Sequence, residues 1–287
     1  MGVSVRVAHS RKLVAQGRPA AVAARVAGVS RQAIYRRPVR PPTGQRRALD
    51  ATDRIVLDIA RSNPTDGTRM VAALAARRAQ APVNRKRVQR LMREHALLQP
   101  KRSEGRRRRP GYFQVTRPDE LWHLDMTSFW ITEHGWCYLN AAIDCCTREI
   151  VAWALDIHCR AAEATAVIDI AVADRRIGPG ELTLGTDNGT AFTSRAFRAR
   201  LAEHQIAHRR GGYRDPESQA FIESWFAKLK QRCVWREEFE TLDEGRAVIG
   251  AYIDRYHHRP YSGLAYRTPR EVAATWKDHD DQLTPAT

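Results

Sequence analysis

Leu121-Trp122-His123-Leu124-Asp125-Met126-Thr127 is the stretch from which the rest of the chain can be read. Trp122, Leu124, Met126 and Trp130 alternate with His123, Asp125, Thr127 and Phe129, the period of a strand with two distinct faces. Asp125 therefore lies on the face opposite Trp122 and Leu124. A second strand is predicted from Trp136 to Asp144, a turn at 145–148 and a third strand from Ile150 to Leu155. Strands this close in sequence form an antiparallel meander. A helix is predicted over 161–174. The short strand Leu182-Thr183-Leu184-Gly185-Thr186 then ends at Asp187, where Asn188-Gly189 turns the chain. A helix near 194–204 and a short strand near 205–208 follow. Asp215 and Pro216 have the cap and first-position chemistry that opens a long helix. Ile222, Trp225, Phe226, Leu229 and Cys233 give that helix its buried stripe, with Glu223 at the edge and Lys228, Lys230 and Arg232 elsewhere. A last helix is predicted over 243–256.

Asp125, Asp187 and Glu223 thus sit on two strands and a following helix, with thirty-five residues between the last two. Mg²⁺ prefers hard oxygen ligands, and a pair of ions ~3.5–4 Å apart stabilises both the attacking and the leaving oxygen of a phosphoryl transfer. A lone Asp or Glu is ordinarily a solvated side chain or a cap. Three in this order and spacing point to a two-metal site acting on nucleic acid. Asp144 and Arg148 read as turn and strand-end structure. His123 shares the Asp125 face, where packing and contact with substrate are equally open. His257, His258 and Arg259 read either as DNA contacts or as a solvated helix end. Tyr35, Tyr138 and Tyr213 lack the Arg/His setting of a tyrosine recombinase.

The net charge of +16 is unevenly divided. Residues 1–117 hold 28 Lys/Arg against 6 Asp/Glu, and residues 118–287 hold 20 against 26. A basic half joined to a mildly acidic half fits a nucleic-acid grip attached to a separate domain. Arg outnumbers Lys 42 to 6, so compositional bias contributes, but bias does not account for the excess stopping near residue 117. The five cysteines form no C-x-x-C pair, which argues against a disulfide scaffold or zinc knuckle and for small apolar fillers in a reducing cytoplasm. No apolar run approaches the ~18 residues of a membrane span, and no signal-peptide pattern is seen.

Residues 8–38 read as a helix-turn-helix. One helix opens at Pro19, Gly28 ends it, and Ser30 caps the next. Arg31, Gln32 and Arg36 then face outward, as a recognition helix does, although a plain helical hairpin has the same pattern. A second helical unit carries stripes at Ile55, Val56, Ile59 and Ala60, and at Met70, Val71, Leu74 and Ala75. Asn84 caps its last helix, with Val88, Leu91 and Met92 inward and Arg85, Arg87 and Arg90 outward. The run Arg106, Arg107, Arg108 and Arg109 does not fold alone, and serves as a tether along phosphates or as a flexible linker.

The strand and helix order is that of an RNase H-like α/β domain, a mixed sheet flanked by helices. Residues 118–275 resemble the integrase catalytic core of bacterial insertion-sequence transposases of the IS-three family, OrfB type. The likeness rests on Pro118 to Thr127, Thr186 to Ser194, Ala220 to Phe226, and Tyr256 with Arg259 to Pro269. The unit ending in Val83 to Met92 resembles that family's helix-turn-helix. Asp66-Gly67-Thr68-Arg69 departs from the pattern, which usually has an aromatic-Gly pair there.

The implied organisation is a helix-turn-helix at 1–42, a second at 46–98, a basic linker at 99–117, the core at 118–275 and a tail at 276–287. The resemblance implies a DDE transposase that cleaves and joins double-stranded DNA at element ends. It implies two Mg²⁺ ions, with Mn²⁺ able to substitute, on Asp125, Asp187 and Glu223. It further implies a homo-multimer, an upstream OrfA product as partner, and a nucleoid-associated place in the bacterial cytoplasm without a membrane. A non-catalytic repressor derived from a transposase and a simple RNase H-like nuclease are the rival readings.

Overall fold

The computed structural model of the chain describes residues 2–35, 48–99, 115–211 and 219–283, in two compact units, Met1–Leu49 and Asp50–Thr287. In the first, α1 (Val3–Ala15), α2 (Ala20–Ala27) and α3 (Arg31–Tyr35) enclose Ala23, Ala24 and Ile34. Gly28 ends α2 at φ +60°, a left-handed conformation open to a residue without Cβ. Ser30 Oγ accepts the Ala33 N–H at 3.2 Å and starts α3. α1 is additional to the elements read from sequence. Its valines at 3, 5 and 7 carry a period of two that conceals a helix.

The second unit begins with α4 (Ala51–Ser62), α5 (Thr68–Ala79) and α6 (Arg85–Glu94) around Val56, Leu57, Val71, Ala75, Val88, Leu91 and Met92. Asp50 and Asp53 form a capping box on α4, and Asn84 Oδ1 accepts the Lys86 N–H at 2.8 Å to start α6.

The sheet follows. β1 (Leu121–Ile131), β2 (Gly135–Asp144) and β3 (Ile150–Asp156) are the antiparallel meander. After α7 (Ala161–Arg175), β4 (Thr183–Thr186) returns parallel to β1. α8 (Thr190–Thr193), α9 (Arg195–Glu203) and β5 (Ala207–Arg210) come next, with β5 parallel to β4. The order β3-β2-β1-β4-β5 makes a mixed five-stranded sheet, the RNase H-like arrangement expected. α10 (Ala220–Arg232), α11 (Leu242–His257) and α12 (Pro269–Leu283) complete the chain.

The pleat sorts the side chains. Trp122, Leu124 and Ala142 pack against α7 and α9, whereas Phe129, Ile131, Leu139 and Ala141 pack against α10 and α11. All five residues of the stripe expected on α10, Ile222, Trp225, Phe226, Leu229 and Cys233, are buried on that second face. α8 is a single turn too short to show a period, and α12 continues through residue 276, so the boundary expected at 275 falls inside a helix. The helix start expected at Asp215 and Pro216 lies outside the described residues.

Ion pairs join the α4–α6 bundle to the sheet domain. Asp66, whose side chain is fully buried, accepts from Arg232 at 2.9 Å and from Arg259. Arg259 also donates to Asn63 Oδ1 at 3.0 Å. Arg77 pairs with Glu271 at 2.6 Å and donates to the Tyr266 carbonyl. The Arg77 hydrogen bond, partly offset by burial, holds the Glu271 carboxyl down at about 2. Arg259 therefore points into the protein, and so does His257, whose Nε2 accepts the Ile150 N–H at 2.9 Å.

Burial pushes the His257 imidazole down to about 4, so it is neutral in the fold. Its contribution to stability is full above the unfolded pKa of ~6.5 and is lost as pH falls through about 4. His257→Gln keeps an acceptor for Ile150 but does not titrate. Between pH 6.5 and 4 the variant is expected to lose less stability than the wild type, by up to about 3 kcal/mol. Parallel melting curves across that window would contradict the neutral, buried role.

Candidate active site

Asp125 sits mid-strand on β1, half-buried, on the face covered by α10. Its Oδ1 accepts the Met126 N–H at 2.7 Å. Asp187 is the exposed residue just beyond β4. Its Oδ1 accepts the Gly189 N–H at 2.8 Å, which fixes the turn, and a Cβ at Gly189 would stand 2.9 Å from that same oxygen. Asn188 Nδ2 donates to the Gly211 carbonyl across the turn. Glu223 is exposed in the first turn of α10.

Asp187 and Glu223 are near enough to act on Asp125. Burial pushes the Asp125 carboxyl up to about 6; the Met126 N–H opposes this, Asp187 and Glu223 add to it by repulsion, and Lys230 opposes it. A half-buried carboxyl between two others is short of positive charge, and the donor set is entirely hard oxygen. Both properties suit a divalent cation.

Lys230, expected elsewhere on the helix, acts on Asp125 through its charge, the last of the influences on that carboxyl. It lies seven residues after Glu223, two turns along the same face, and that spacing was the available signal. Beneath the site, His123 stacks on Phe221 with centroids 6.0 Å apart, and the Arg148 guanidinium lies 3.1 Å from the Phe221 ring centre. His123 is buried and its imidazole is pushed down to about 4, first by burial and then by Arg148 and Arg209. The Gln219 amide, also buried, finds no partner among the described residues. Asp144 is a structural residue: its oxygens accept from the Cys146 and Thr147 N–H groups, the Thr147 hydroxyl and the Asp119 N–H.

The expected DNA contacts divide. Arg31 and Gln32 are exposed on α3, and Arg85 and Arg90 on α6, Arg90 lying 3.8 Å from Glu94. Arg87 is not outward-facing as expected. It is half-buried, bonded to Asp53 at 2.7 Å and to Asp50, because its side chain closes the capping box of α4. Arg36, Arg106, Arg107, Arg108 and Arg109 lie outside the described residues. Among the cysteines, Cys137, Cys145 and Cys233 are buried fillers, whereas Cys159 is exposed with Sγ 2.8 Å from Met126 Sδ. Asp156, His158 and Glu163 bring three possible ligand atoms within 4.8 Å of one another. Asp156 already accepts from His158, and Glu163 from the Arg160 N–H, bonds that shape the start of α7. No helix among the described residues is long and apolar enough to cross a membrane.

A raised carboxyl pKa lends stability below the unfolded value, and that stability disappears as pH rises through the folded one. For Asp125 the window runs from about 4 to about 6. Without added metal, Asp125→Asn is expected to be more stable than the wild type at pH 7, by about 2 kcal/mol, and no more stable at pH 4. Equal thermal stability at pH 7 would remove the electrostatic account.

The chain matches the integrase core domain family over residues 115–216 and again over 204–269, and an HTH-like domain over 47–109. It is 30% identical over 260 residues to an insertion element IS476 uncharacterized 39.2 kDa protein of Xanthomonas euvesicatoria, covering 89% of this chain and 72% of that protein. It is 28% identical over 291 residues to the transposase InsD for insertion element IS2-9 of Escherichia coli K12, covering 94% of each. Among solved structures, an intasome of simian T-cell lymphotropic virus in complex with a PP2A regulatory subunit aligns with a TM-score of 0.48 and 16% identity, over 74% of this chain and 73% of that one. The chain belongs to the integrase-core family of insertion-element transposases, of the IS-three type, and is a DNA-processing enzyme of transposition.

Proposed function

We propose that this transposase cuts and joins DNA strands at the ends of its insertion element, using two Mg²⁺ ions, or Mn²⁺ in their place, held by Asp125, Asp187 and Glu223. The observation that carries the reading is the register that sets Asp125 on β1 level with Asp187 beyond β4, with Glu223 on the helix that covers the Asp125 face. Asp125, Asp187 and Glu223 would supply the hard oxygen ligands that hold the ions. The bound pair supplies activation of an oxygen nucleophile and stabilisation of the leaving 3′ oxygen. The chain's residues do the positioning. The Gly189 N–H holds the Asp187 carboxylate in its turn, and the α10 stripe packed on the sheet sets the height of Glu223.

Water and a DNA 3′-OH are both competent nucleophiles at such a pair. Placement selects between them, since a held hydroxyl gains a large effective concentration. The helical units, through Arg31, Gln32, Arg36, Arg85 and Arg90, hold the element end, and the run Arg106 to Arg109 lies along its phosphates. Two ends must be held at once, so the working form is a homo-multimer on double-stranded DNA. An upstream OrfA product is its expected partner, in the bacterial cytoplasm and nucleoid-associated.

Two measurements test this. Asp187→Asn is expected to bind an element-end duplex nearly as the wild type does, while its Mg²⁺-dependent cleavage falls by more than about a hundredfold, the scale already reached when a metal ligand loses an outer partner. Retained cleavage would sink the metal assignment. A labelled duplex with a pre-cut 3′-OH is expected to give a joined product with Mg²⁺. If the protein and its upstream partner yield only shortened fragments, the nuclease reading takes over.

A further inference from the structure

Between the end of α4 and the outer flank of α10 and α11 lies a cleft of about 290 Å³. Its lining includes Asn63, Thr65, Arg232, Arg236, Arg255 and Arg259, and no carboxylate. Asp66 is fully buried and bonded to both Arg232 and Arg259. The lining carries four guanidiniums and no carboxylate, and Asp66 is shared between two of the four. The Nε atoms of Arg232 and Arg259 are buried and find no acceptor among the described residues. Burial lowers the Arg259 pKa, the Asp66 carboxylate opposes this, and repulsion from Arg232 lowers it further. Arg236 and Arg255 are exposed at the mouth.

We propose that this cleft binds a phosphodiester of a DNA backbone. Arg236 and Arg255 engage the phosphate oxygens at the mouth, and Arg232 and Arg259, held by Asp66, form the floor. Guanidinium forks suit this role because they present paired donors to phosphate. The proposal rests on the reading that the chain handles DNA, and it adds a location. Arg232 lies nine residues beyond Glu223 on α10, about two and a half turns, and so on the opposite flank of the helix. The cleft therefore meets DNA on a different flank of α10 from the carboxylates. The same chemistry would accept a small phosphate ion, and the experiment separates the two.

The full chain is titrated with an element-end duplex over a salt series. Each neutralised phosphate contributes about 0.9 to the slope of log K against log salt. The double variant Arg236→Ala/Arg255→Ala, with an unchanged melting temperature, is expected to lose roughly one to two units of slope. Arg236→Lys/Arg255→Lys is expected to keep the slope, because it keeps the charge. Wild-type slope in the alanine variant overturns the cleft and leaves the DNA reading standing. A wild type that binds no duplex overturns the DNA reading, and the cleft with it. Calorimetric binding of inorganic pyrophosphate that the alanine variant loses, with its DNA slope intact, would make this a small-anion site and overturn the assignment.

Discussion

β1 is hydrogen-bonded on both sides, antiparallel to β2 and parallel to β4, and the positions of the candidate catalytic carboxylates follow from that double pairing. His123 is opposite Gly185 in the parallel register. Two residues further along each strand stand Asp125 and Asp187, so parallel pairing alone carries the two acids to the same level. The approach at Gly185 is close. A Cβ there would stand 2.7 Å from the His123 ring, so only glycine lets a neutral imidazole lie against β4. Glu223 arrives from a different direction. α10 must bury Ile222, Trp225, Phe226 and Leu229 against the face on which Asp125 stands, and that packing brings its first turn to the same site.

Features with a local signature were legible in the sequence. The period of two in β1 assigns Asp125 to a face, and the stripe on α10 assigns Glu223 to its edge. Caps such as Asn84 and Ser30 are decided within three residues, and they start the helices they were expected to start. Features decided by distant partners were hidden. Asp66 beside Gly67 reads as a turn, and nothing nearby announces arginines 166 and 193 residues away. Arg87 has the outward phase of its helix, yet two carboxylates of α4 turn it back. α8 is too short to have a period, and the alternating valines of α1 imitate a strand. Lys230 was recoverable from its i+7 relation to Glu223. Its electrostatic reach to Asp125 required the sheet to be in place.

The basic excess of the first 117 residues is also less available than a count implies. Arg87 neutralises acids of its own bundle, and Arg77 is committed to Glu271 in the sheet domain. Conversely, four arginines of the mildly acidic second half line one cleft, with no carboxylate in its lining. Net charge by segment shows that such a protein meets a polyanion, but not which surface does so. Folding redistributes charge by pairing some side chains internally and crowding others of like sign.

The first unit has a different character. Three short helices close over Ala23, Ala24 and Ile34, with Leu13, Val14 and Val29 partly covered. So little apolar area leaves a thin margin over chain entropy for a unit of under fifty residues. In a unit built this way, local stability rests on a few contacts around Ile34. One methylene lost at Ile34 would therefore remove a larger share of this unit's stability than the same loss in the sheet domain.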